Sequence, residues 1–214
     1  MKPRRYPIPA KEVQTEIIVV NSRFIATASP TFSVTEAQAF IHRIKTKFSD
    51  ASHHVPAFVI GHGSSVIAHC KDDGEPSGTA GRPALAVLQG SGIGDISVVV
   101  TRYFGGTKLG TGGLVRAYSD AVRTVLDVLP RAERVATHTI MLETPYPLYE
   151  RLLLLIPAFN GQVKDQDFGV HVTLTLRFAI EDLPGFEEAV RELSRDTIDI
   201  LIIESNENTI MPIK

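Results

Sequence analysis

A single cysteine, Cys70, stands in 214 residues, so no intramolecular disulfide staples this chain. Tryptophan is absent. No apolar run approaches the roughly 20 residues that a bilayer-spanning helix needs. The basic start, MKPRRYPIPA, lacks the apolar segment of a secretory signal. Neither the H-E-x-x-H zinc pattern nor the G-x-S-x-G nucleophile elbow occurs. These absences argue against a disulfide scaffold, a membrane helix, a standard metalloprotease and a standard serine hydrolase. What remains is a chain read as cytoplasmic, with no cofactor motif and with 43% hydrophobic residues, enough for a sizeable core.

The net charge of −2 hides an asymmetry. Residues 1–130 carry 14 Lys+Arg against 10 Asp+Glu, net +4, and residues 131–214 carry 8 against 14, net −6. A basic half joined to an acidic half predicts two domains with different partners, divided at 1–131 and 132–214.

The hydrophobic pattern supports that division. Residues 12–20 and 24–29 read as strands around the turn Asn21-Ser22. Ser33 or Thr35 can cap a helix through Phe48, whose Ala37, Phe40, Ile41 and Ile44 share a stripe. Residues 55–60 and 65–70 read as strands, and 80–89 as a short helix starting near Pro83. Residues 96–103 are almost all apolar, which predicts a central strand covered on both faces. A helix is expected over 114–129, with Arg116 facing Asp120 and Arg123 facing Asp127 at i,i+4. The order is β-β-α-β-β-(α)-β-α.

After Pro130 the pattern restarts. Strands are expected at 137–142, 162–168, 170–178 and 198–203, and helices at 146–156 and after Asp182; the polar tail past Glu204 reads as frayed. This is βαββαβ, the ferredoxin-like order, so the whole chain is α+β.

Two loops draw chemical attention. TRYFGGTKLGTGGLVRAY holds Gly105, Gly106, Gly110, Gly112 and Gly113 between a strand and a helix. It is neither a P-loop, since Thr111 stands where the lysine should follow Gly110, nor a dinucleotide fingerprint, since Val115 replaces the third glycine. Free N–H groups at the helix start, with Lys108 and the flanking Arg82, Arg102 and Arg116, predict an anion or RNA-backbone contact; the alternative is a tight corner. The second loop, DDGEPSGTAGRP, offers Asp72, Asp73 and Glu75, in no EF-hand spacing and with no other metal motif. It reads as an acidic turn, with Mg²⁺ binding by its carboxylates as the alternative. His53 and His54 are adjacent at a strand start, so their side chains diverge and do not readily share a metal; they read as buried or capping histidines, with a secondary role for one of them in RNA stacking or catalysis as the alternative. No residue is assigned a catalytic role.

SRFIA, the His53-His54 pair, DDGEPSGTAGRPAL and VVVTRYFGGTKLGTGGLVRAYSDAV together resemble the YigZ/IMPACT family over essentially the whole chain. Val55 departs from the cysteine common there, which argues against a family-wide Cys/His chemistry. The resemblance implies a first domain similar to the second domain of ribosomal protein S5 and a ferredoxin-like second domain, a pair similar to domains IV and V of elongation factor G. It also implies regulation of translation. Three readings follow. The first is a non-enzymatic translation-associated protein whose basic domain meets RNA or the ribosome and whose acidic domain meets protein. The second is a phospho-ligand binder or enzyme using the glycine loop with Asp73 and Glu75. The third is a protein-interaction regulator without nucleic acid.

Overall fold

The computed structural model describes residues 5–63 and 66–212. It divides into two compact units, Met1–Glu133 with Ile210–Lys214, and Arg134–Thr209. The first holds an antiparallel sheet of order β2-β3-β6-β4-β5. Its strands are β2 (Val13–Val19), β3 (Ser22–Pro30), β4 (His53–Ile60), β5 (Ile67–Cys70) and β6 (Ile96–Tyr103). β6 is central, and residues 96–102 are buried throughout, as its unbroken apolar run requires. Ser64 and Ser65, where the sequence opens the β5 strand, lie outside the described residues.

Period two sorts each strand onto two faces. Phe24, Ala26, Val55, Ala57, Val98 and Val100 form one core with the helices α2 (Gly81–Gly90) and α3 (Gly110–Asp127). On the other face Val99, Phe58 and Ile60 meet α1 (Val34–Lys47) through Phe40, Ile44 and Ala37. Ser33 caps α1: its hydroxyl accepts from the Glu36 amide at 3.1 Å, and Glu36 Oε2 accepts in return from the Phe32 amide at 3.0 Å. α2 starts at Gly81, ahead of the predicted Pro83. α3 starts at Gly110, a full turn before the predicted Leu114. Glycine is costly inside a helix, but the first-turn N–H groups need no intrahelical partner, and Leu109 and Leu114 anchor this turn to the core.

The second unit is built from β7 (Arg131–Thr144), α4 (Tyr146–Ala158), β8 (Gln162–Phe168), β9 (Val172–Ala179), α5 (Leu183–Ser194) and β10 (Ile200–Pro212). Its strands pair in the order β7-β9-β8, and β10 also pairs with β7; the short β1 (Arg5–Pro9) belongs to the first unit. The βαββαβ order is the predicted one. Val172, Leu174, Leu176 and Phe178 face α4 and α5, with Phe178 stacked on Phe186 at 4.4 Å. Val170, expected as the first residue of that strand, is 92% exposed in the β8–β9 turn. The tail read as frayed is strand: β10 continues to Pro212 because β7 satisfies its backbone.

Candidate functional site

The register of three strands converges at the end of β6. Arg102 stands opposite Phe24 on β3 and opposite His53 on β4, on the face that α2 and α3 cover. The Arg102 side chain is therefore inside, at 4% exposure. Its Nη1 donates to Glu75 Oε1 at 2.7 Å and its Nη2 to Ser22 Oγ at 3.2 Å. The guanidinium carbon lies over the Phe24 ring at 5.3 Å and the Phe104 ring at 5.5 Å. Tyr118 donates its hydroxyl to the same Glu75 oxygen at 2.7 Å. Burial first, and Glu75 second, push that phenol far above its ordinary range, so it stays protonated and remains a donor. The expectation that Arg102 joins an anion or RNA-backbone contact is corrected: period two turned it toward Val98 and Val100, and a buried paired guanidinium does not meet a phosphate at the surface. Tyr118, on α3, is a further polar partner in this cluster. The available signal was the general need of a buried tyrosine hydroxyl for an acceptor.

The acidic loop is committed inward. Asp72 Oδ1 accepts from the amides of Ala80 at 3.1 Å and Gly81 at 2.8 Å, and Oδ2 from that of Gly78 at 2.8 Å. α2 has no side-chain cap of its own at Ala80, so Asp72 performs that service from upstream. Burial would raise this carboxyl, but the three amides and Arg82 outweigh it and hold it below the ordinary value. Asp73 has φ +49° and leads into Gly74 at +86°, the left-handed pair of an Asp-Gly turn. Its Oδ1 accepts from Lys45 Nζ at 2.6 Å and its Oδ2 from the His54 amide at 2.7 Å. Burial again opposes, and these bonds again prevail, lowering its pKa. Among the described residues no group of three or more His, Cys, Asp or Glu is placed to hold a metal.

The two histidines diverge. His53 donates from Nδ1 to the Asp73 carbonyl at 2.9 Å, leaving Nε2 at 3.9 Å from Glu75 Oε1. His54 donates from Nε2 to the Phe48 carbonyl at 2.9 Å, on the α1 side. Cys70 is half-buried, and burial and Asp72 push its thiol up, which favours the protonated form.

The glycine loop behaves differently along its length. Gly105 tucks under the β2–β3 turn: a Cβ there would collide with the Asn21 carbonyl, and its amide donates to Ser22 Oγ at 3.2 Å. Gly106 and Gly110 have φ +84° and +70°. Gly112 has neither reason to be glycine; its φ is ordinary and nothing lies within 4 Å of the site of a Cβ. α3 has no side-chain cap at Leu109. Lys108 and Arg116 are exposed and pair with no acid among the described residues. The predicted pairs on α3 are replaced by one, Arg123 to Asp120 at 2.7 Å, which releases Arg116. Arg82 is also exposed, but it lines a groove of about 670 Å³ with Gly78, Pro83, Val87, Val115 and Arg123. The structure thus gathers Lys108, Gly110, Gly112, Gly113 and Arg116 around the start of α3. It places Arg102 with Glu75 and His53 below, and Arg82 in the α2–α3 groove.

Residues 20–126, which hold all of these features, match the model of the Impact N-terminal domain. The chain belongs to the IMPACT family. Residues 142–197 match a second model, a domain of unknown function called DUF1949. The chain is 35% identical to the IMPACT family member YigZ of Escherichia coli over 198 residues, 92% of this chain and 97% of that protein. It is 36% identical to the IMPACT family member YvyE of Bacillus subtilis over 185 residues, 86% of this chain and 85% of that protein. A solved structure described only as that of a hypothetical protein is 34% identical and superposes with TM-score 0.62, covering 94% of this chain and 98% of that one. The IMPACT fold is accordingly the two-unit α+β architecture described above.

Proposed function

We propose that this protein contacts the sugar–phosphate backbone of RNA at the start of α3 and acts in the cytoplasm as a non-enzymatic, translation-associated regulator. The observation that carries the reading is the exposed set of Lys108, Gly112 and Arg116. Gly112 and Arg116 stand four residues apart on one face of α3, and Lys108 lies in the loop two residues ahead of the helix. Gly112 has no packing reason to lack a side chain, and its absence lets a ligand approach the first-turn amides. Those amides and the helix dipole favour an anion, and the two unpaired cations add to it. The family resemblance supplies the translation setting. The acidic second unit, with the −6 charge of residues 131–214, is assigned to a protein partner. Asp73 and Glu75 are held by Lys45, His54, Arg102 and Tyr118, so the phospho-ligand enzyme reading has lost the free carboxylates it called on.

Fluorescence anisotropy with unrelated single-stranded RNA oligomers at several salt concentrations tests the proposal. Phosphate contacts predict weak, nearly sequence-independent binding. With Arg102 buried, two cations remain, and a log–log salt slope near about −1.4 is expected at roughly −0.7 per phosphate. Lys108→Glu lowers affinity for every sequence and flattens the slope, while stability stays within about 0.5 kcal/mol. Unchanged affinity and slope in a folded Lys108→Glu protein would reduce the loop to a corner.

The α2–α3 groove supports a second reading. Pro83, Ala86, Val87 and Val115 give it an apolar floor between Arg82 and Arg123, the composition of a small protein-docking surface. Arg82→Glu lowering affinity for a protein partner, with RNA binding unchanged, would favour it.

A further inference from the structure

We infer that Phe104 is a stacking platform for an unpaired base of single-stranded RNA; the inference rests on the backbone-binding reading above and names what that strand offers besides phosphate. Phe104 joins the end of β6 to the glycine loop, and it is 48% exposed. The ring is held in place from several sides. The Phe104 amide donates to Ser52 Oγ at 3.1 Å. The next residue, Gly105, is locked against Asn21 and Ser22. Beneath the ring lies the Arg102 guanidinium, 5.5 Å from its centroid, itself fixed by Glu75 and Ser22 and carried on Phe24.

Phe24 and Phe104 thus both lie against the Arg102 guanidinium, and of the three only Phe104 is open to solvent. A buried ion pair is an expensive foundation for a surface ring, and it leaves Phe104 little freedom to lose when a ligand arrives. Aromatic rings of this kind accept the face of any base, while nearby cations and backbone N–H groups take the phosphates. Lys108, four residues on, and the uncapped start of α3 supply that second half. A ring for the base beside cations for the phosphate matches a nucleotide chain. The sequence reading passed over Phe104 because one exposed aromatic residue carries no periodicity.

The lack of tryptophan provides a direct test. Phe104→Trp makes a protein with one indole emitter at the proposed contact. It is titrated with a short adenosine oligoribonucleotide, the matching deoxyadenosine oligomer, and an abasic ribose-phosphate oligomer of equal length and charge. Indole emission should be quenched by the adenosine oligomer and not by the abasic one. By anisotropy, Phe104→Ala should weaken adenosine-oligomer binding at least about fivefold and leave abasic binding unchanged. Phe104→Leu keeps an apolar cover over Arg102; it should melt like the wild type and lose the same affinity, which separates stacking from folding. Equal binding of the adenosine and abasic oligomers, or no effect of Phe104→Ala, overturns the stacking site while leaving the phosphate contact standing. Binding of the deoxyadenosine oligomer alone overturns the assignment to RNA. No binding of any oligomer overturns both readings.

Discussion

The acidic loop and the glycine loop meet the same end of the same sheet, yet they use their polar groups in opposite ways. In the acidic loop each carboxylate turns inward: Asp72 onto the α2 amides, Asp73 onto Lys45 and His54, Glu75 onto Arg102 and Tyr118. In the glycine loop the polar groups stay outward: Lys108 and Arg116 are exposed and α3 begins without a side-chain cap. The contrast teaches where to look for function. Charge that is satisfied internally shapes the fold, and charge left in water beside unoccupied N–H groups is available to a partner.

Substitutions that break the contrast should differ widely in cost. The largest effect is expected from Glu75→Ala. It strands the Arg102 guanidinium at 4% exposure without its carboxylate, and removing one member of a buried ion pair costs about 3–5 kcal/mol. Urea unfolding should show a midpoint shifted accordingly; a shift below about 1 kcal/mol would mean that the cluster relaxes into water.

Within the glycine loop itself, Gly105→Ala should be the damaging change. The added methyl meets the Asn21 backbone, which has no rotamer to yield, and overpacking of this kind costs about 1–3 kcal/mol. The same urea series measures it, and an unchanged midpoint would refute the close approach.

Asp72→Ala should cost about 0.5–2 kcal/mol, the range for a lost helix cap. Acid sharpens this prediction. Asp72 and Asp73 are both held below the ordinary carboxylate value of about 3.9. Carboxyls lowered by folding contribute stability that is present above the unfolded value and is lost as pH falls through the folded one. Wild-type midpoints should therefore decline below about pH 4, and the double variant Asp72→Asn/Asp73→Asn should decline less steeply. Parallel declines would remove these two aspartates from the acid response.

The smallest effect on stability is expected from Gly112→Ala. The site is open and its φ is ordinary, so alanine should leave the midpoint unchanged or raise it by up to about 1 kcal/mol. RNA affinity should nevertheless fall, because the methyl stands over the first-turn amides. A fall in stability would place Gly112 with Gly105 as a packing glycine.

Much of this architecture was legible in the pattern of residues. The apolar run at 96–103 predicted the central strand, and the strand expected at 170–178 is β9 from Val172 onward. The start of α3 was misjudged because propensity penalises glycine without regard to its place in the helix. The strand character of the tail past Glu204 was missed because the backbone of β7, distant in sequence, is what holds it.

The site was legible only in outline. The sequence by itself determined which residues face together along each strand, that two loops rich in glycine flank the central strand, and that no known nucleotide motif occupies either. These are properties of spacing, which the chain carries whether folded or not. Only the tertiary structure decided that Arg102 belongs to Glu75 and not to a ligand, that Asp72 caps a helix beginning nine residues later, and that Phe104 lies over a buried cation. The physical reason is that the fate of a charged or aromatic side chain depends on what stands within a few ångströms of it. Those neighbours, Arg102 and Glu75 being 27 residues apart, come together only when the sheet register and the helix layer have formed.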